Sequence, residues 1–122
     1  MSVNPNTIIL VENDAQTVTL LNHIFCRKCI NVVSISSSKI DQLDTLIENN
    51  QPRLIMLDYM SIRRNYDAIC RVLSSFATPI PTALLTSISG DALSTSFDYV
   101  IKKPFYLSDI SMILQDVVEK ST

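Results

Sequence analysis

The chain has 122 residues, enough for one compact domain with one core and too few for two. Apolar residues make up 47% and charged residues 18%, with a mean hydropathy of +0.24, which excludes intrinsic disorder. A single glycine, Gly90, excludes loops that cradle phosphate with several glycines, and a formal net charge of -2 argues against nucleic acid or an anionic membrane as a partner.

Along the chain, short apolar runs alternate with helical patterns. Thr7 to Val11 reads as a strand buried on both faces, and Asp14 can cap a helix whose apolar face is Val18, Leu21, Ile24 and Phe25. Ile30 to Ile35 is a second strand. Ser36 to Ser38 then form a turn and cap before a helix striped with Ile40, Leu43, Leu46 and Ile47, which ends at Asn49, Asn50 and Pro52. Leu54 to Leu57 is the third strand. A polar loop follows, and then a helix carrying Ile69, Val72, Leu73 and Phe76. Thr82 to Leu85 is the fourth strand, Ser89 to Phe97 leaves room for only a short helix, and Tyr99 to Ile101 is the fifth strand. Leu107, Ile110, Ile113, Leu114, Val117 and Val118 mark a strong last helix.

Five such units imply an α/β fold, a parallel sheet covered by helices on both faces, spanning residues 1–122 as one domain. The longest aliphatic run is about four residues, too short to span a membrane, and the N-terminus lacks a signal peptide's basic and apolar regions. A cytoplasmic protein with its three cysteines reduced is expected.

Ligands of open parallel sheets bind beyond the carboxyl ends of the strands. Here those ends are polar in four of five cases: Glu12, Asn13 and Asp14 follow the first strand, Asp58 the third, Thr86 and Ser87 the fourth, and Lys102 and Lys103 the fifth. With Ile9 to Asp14, Leu54 to Asp58, Thr86 and Lys103-Pro104-Phe105 in this order, the whole chain resembles the receiver domain of two-component response regulators. The resemblance implies a flavodoxin-like strand order, 2-1-3-4-5, which would bring the four polar ends together.

The resemblance also implies roles. Asp58 would accept a phosphoryl group from a histidine kinase or phosphotransfer protein, with Lys103 and Thr86 contacting the transferred group. Magnesium would be held by Glu12, Asn13, Asp58 and the main-chain carbonyl of Met60. Lys103 and Pro104 would be joined by a cis peptide. The residue types suit this chemistry: a carboxylate can form an acyl phosphate where the transferring group is neutralised, and magnesium takes oxygen ligands. The output would be contact with a downstream protein, an attached output domain or a second copy of the chain, without direct nucleic-acid or membrane contact and without enzymatic turnover of a separate substrate.

The chain departs from the family pattern in several places. Asn13 stands where the family has a second acid, so magnesium binding should be weak. Tyr59 to Tyr66 lacks the usual proline and glycine and carries Arg63 and Arg64, which read as a solvated loop or as a contact for a partner or phosphate. The family's switch aromatic falls at Val100, and strand alternation points Tyr99 to the other face unless a bulge intervenes. Lys103 follows Thr86 by only 17 residues, which shortens the intervening helix. His23, Cys26 and Cys29 have a metal-like spacing but spread about 120° around a helix, too wide for one ion. Two readings therefore stand: an atypical phosphoacceptor receiver, and a pseudo-receiver interaction module not controlled by phosphorylation. An unrelated small α/β enzyme is a distant third.

Overall fold

Five strands alternate with helices in the computed structural model, which describes residues 6–76, 79–87 and 97–120. They are β1 (Thr7–Val11), β2 (Asn31–Ile35), β3 (Leu54–Asp58), β4 (Thr82–Thr86) and β5 (Tyr99–Lys102). All pair in parallel in the order β2-β1-β3-β4-β5, the expected doubly wound arrangement. β1, β3 and β4 are buried at every residue, as strands covered on both faces must be, whereas the edge strand β2 is partly exposed.

Alternating strand residues feed two cores. Ile8, Leu10, Met56, Ala83, Leu85 and Ile101 pack beneath α1 (Ala15–Cys26) and α5 (Leu107–Lys120), against Leu21, Phe25, Ile110 and Leu114. Ile9, Val11, Ile55, Leu57 and Leu84 face α2 (Leu43–Asn50) and α4 (Tyr66–Ser74), against Leu43, Ile47 and Ile69. Asp14 caps α1 as expected, its Oδ2 accepting from the Thr17 amide at 3.2 Å and from the Thr17 hydroxyl at 2.6 Å.

Two local expectations are corrected and a third is borne out. The segment before α2 is not α-helical from its start: Ser37–Gln42 forms a 3-10 helix with a kink at Lys39. The segment after β3 is not a polar loop. A short helix, α3 (Tyr59–Ile62), begins directly after Asp58 and passes through a 3-10 turn, Arg63–Asn65, into α4. The cause is Asp58 itself, whose side chain caps α3 by accepting from the Ser61 amide at 3.0 Å and so supplies its start signal. Finally, β5 pairs with β4 without interruption from Ala83–Tyr99 to Thr86–Lys102, so no bulge resets its register. The Tyr99 ring therefore packs on the α1/α5 side and its hydroxyl donates to Asp116 on α5, while Val100 is exposed. Of the short helix expected over Ser89 to Phe97, only Phe97 lies within the described residues, and it is buried.

Candidate functional site

The sheet delivers its polar residues to one edge. Glu12 follows β1, Asp58 closes β3, Thr86 closes β4 and Lys103 follows β5, with adjacent strands in register between them. Glu12 and Asp58 are each 4% exposed, an unusual position for carboxylates unless they are paired. Lys103 supplies the pairing. Its Nζ lies 2.7 Å from Asp58 Oδ1 and 3.1 Å from Glu12 Oε1. The Lys103–Pro104 peptide is cis, and the Lys103 amide donates to the Thr86 carbonyl at 2.8 Å.

Ser61 completes the arrangement, and the sequence reading missed it. Its amide and hydroxyl donate to Asp58 Oδ2 at 3.0 and 2.7 Å, and the hydroxyl also lies 3.3 Å from Glu12 Oε2. The Asn13 amide donates to the same hydroxyl at 3.0 Å. A signal existed: an aspartate three residues before a serine, directly after a strand, is a helix-capping pattern. Both oxygens of Asp58 are thus engaged, Oδ1 by Lys103 and Oδ2 by Ser61.

The expected residues do not all converge. Glu12, Asp58 and Lys103 line one depression of about 410 Å³ together with Asn13, Asp14, Met60, Ser61 and Ser87. Thr86 is buried at the end of β4, 2% exposed, and Ser87 lines the depression in its place. The Asn13 side chain turns away from the carboxylates: Oδ1 accepts from the Ser37 amide at 2.7 Å and Nδ2 donates to the Ser37 hydroxyl at 2.9 Å. Met60 sits on the first turn of α3 and lines the same depression.

One cation between two acids separates their titrations. Burial pushes the Asp58 carboxyl up, but hydrogen bonds from Lys103 and Ser61 outweigh it and leave Asp58 below the usual carboxylate range. For Glu12, burial prevails over the Lys103 hydrogen bond, and repulsion from Asp58 adds to it, so its carboxyl is raised. The order agrees with geometry, since Lys103 is closer to Asp58. Burial works against the Lys103 ammonium, yet its bonds to Asp58 and Glu12 raise its pKa on balance. Asp58 is therefore ionised, cation-paired and reachable from the depression.

Among the described residues, no helix is long and apolar enough to cross a membrane. Cys26 and Cys29, at the end of α1, are exposed free thiols, and no cluster of three His, Cys, Asp or Glu residues poised for a metal occurs among the described residues.

No protein-family model and no curated protein matches the sequence. Solved structures do. The N-terminal domain of the nisin resistance regulator NsrR, a lantibiotic response regulator, is 27% identical over 93% of this chain and 97% of that one, with a TM-score of 0.76. The BeF3-activated receiver domain of Klebsiella pneumoniae RstA is 24% identical over 90% of this chain and 96% of that one, with a TM-score of 0.71. The pseudo-receiver domain of CikA is similar too, at 17% identity over 93% and 97% and a TM-score of 0.70. Strand order, the acids at the sheet edge and these likenesses converge: the chain has the receiver-domain fold of response regulators, in an atypical variant.

Proposed function

We propose that this chain accepts a phosphoryl group on Asp58 from the phosphohistidine of a histidine kinase or phosphotransfer protein, and that it signals through protein–protein contacts in the cytoplasm. The observation that carries this reading is the Lys103 ammonium, 2.7 Å from Oδ1 of a buried aspartate and shared with Glu12, at the open edge of the sheet. An Asp58 oxygen attacks phosphorus, the P–N bond to the partner's imidazole breaks, and the imidazole keeps the bonding pair and takes up a proton. Lys103 pairs with the charge as it moves from the carboxylate onto the phosphoryl oxygens. The chain is an acceptor in this exchange, not an enzyme acting on a separate substrate.

Magnesium is the cofactor such chemistry implies, and the residues present do not form a ready site for it. Asn13 commits its side-chain amide to Ser37, and the two carboxylates are already bonded to Lys103 and Ser61. An octahedral ion needs several oxygens free at once. Its binding is accordingly weak, and no step is assigned to it.

The commitments of Asn13 and Ser61 favour a second reading, an interaction module of this fold that phosphorylation does not control. Intact-mass measurement after incubation with phosphoramidate and magnesium separates the two. The first reading expects one added phosphoryl group on the natural chain and none on Asp58→Asn. Labelling that persists in Asp58→Asn would assign a different acceptor, and an unlabelled natural chain would leave the second reading in place.

A further inference from the structure

Three of the chain's five arginines lie within nine residues, Arg63, Arg64 and Arg71, although the formal net charge of the whole is -2. The break between α3 and α4 brings them together. Because the 3-10 turn Arg63–Asn65 interrupts the helix, Arg63 and Arg64 share with Arg71 one cleft of about 520 Å³, whose walls include Tyr59 and Tyr66. One acid, Asp67, lies among them, so the lining carries two net positive charges. Among the described residues no carboxylate pairs with any of the three guanidiniums: the ion pairs present are those of Lys103 with Glu12 and Asp58. The walls are anchored, since the Tyr66 ring stands edge-on between Tyr59, 6.2 Å away, and Phe97, 6.0 Å away.

We propose that this cleft is a binding site for a phosphoryl dianion, presented by a phosphorylated side chain of a partner protein. Guanidinium groups form paired hydrogen bonds to phosphate oxygens, and several on one wall reach more of those oxygens than one could. Two net positive charges match one dianion. A nucleic acid is disfavoured, because three arginines on an acidic chain neutralise too few phosphates for appreciable affinity at physiological salt. The cleft is distinct from the acid pocket: none of its three arginines lines the depression around Asp58.

The test uses amide shifts and titration calorimetry on the full chain with four probes: a phosphoserine peptide, the same peptide unphosphorylated, the same peptide with glutamate at the serine, and inorganic phosphate. The phosphopeptide is expected to shift the amides of residues 59–71. The double variant Arg64→Ala/Arg71→Ala should weaken it at least tenfold, and the lysine pair at those positions should restore binding only in part. Because the three arginines are exposed, these variants should leave folding intact. Binding that persists in Asp58→Asn separates this site from the phosphoacceptor reading, which can fail without it. Inorganic phosphate binding as tightly as the phosphopeptide would support the site and assign it to the free ion. Equal binding of the glutamate peptide, equal binding of the unphosphorylated peptide, or affinity unchanged in the double variant would each overturn the proposal.

Discussion

At the scale of residues, Lys103 is the group on which the acid pocket depends. One ammonium, 26% exposed at its side chain, serves two nearly buried carboxylates. Replacing it in Lys103→Met leaves the two acids facing each other unpaired, which should cost about 2 kcal/mol at neutral pH, below the range for a fully buried pair. The cost should depend on pH with a definite sign. The Glu12 carboxyl is raised above 4.5, so its contribution to stability is present below 4.5 and is lost as pH rises through its folded value. Asp58 is lowered, so its contribution is present above 3.8 and is lost as pH falls through its folded value. The deficit of Lys103→Met, measured by urea unfolding at pH 7 and pH 4.5, should therefore shrink at the lower pH, where Glu12 becomes neutral. A deficit that stays constant would mean that Glu12 does not share the lysine. Asn13 carries a second expectation. A carboxylate there could no longer donate to the Ser37 hydroxyl and would add charge beside Glu12. Asn13→Asp should therefore tighten magnesium about tenfold by calorimetry, roughly 1.4 kcal/mol. Equal affinities would show that the turn toward Ser37 is not what weakens the ion.

At the scale of elements, the start of α3 ties chemistry to structure, because Asp58 is at once the proposed acceptor and the cap of a helix. Asparagine caps as well as aspartate and alanine does not, so Asp58→Asn should keep the helix while Asp58→Ala loses about 1 kcal/mol more in thermal unfolding. A similar loss in both would mean that the cap contributes nothing. The fifth strand poses a different question. Tyr99 is tied to Asp116 across the β5–α5 contact, so Tyr99→Phe should cost about 1 kcal/mol and leave any response of the Val100 face unchanged. Helices with strong apolar stripes and strands buried on both faces were legible in the sequence because burial writes itself into spacing. Asp14 as a cap and Tyr99 on the far face of β5 followed from the same local rules. What was not legible depended on side chains meeting across the fold. Ser61 reaches Glu12, 49 positions away, and Asn13 finds Ser37, 24 positions away, through geometry that no local pattern encodes.

At the scale of the whole molecule, the strand order does the assembling. β1, β3 and β4 are neighbours, with β5 at the edge, so residues 12, 58, 86 and 103 gather at one end of the sheet although 91 positions separate Glu12 from Lys103. The strand sequences predicted the sheet, the resemblance supplied its order, and the structure bears out both. The same architecture puts the arginine cleft on the helices that follow Asp58, away from β5 and α5. The fold thus places the acid pocket, the proposed phosphoryl site, at its sheet edge and a separate basic cleft beside it. The central claim is that Asp58 becomes an acyl phosphate, and borohydride trapping tests it most directly. After phosphoramidate treatment, reduction of an aspartyl phosphate converts that residue to homoserine, which peptide mapping by mass spectrometry locates. The account predicts homoserine at position 58 and at no other aspartate. Homoserine elsewhere, or none at position 58 under conditions that label a known receiver, would contradict it.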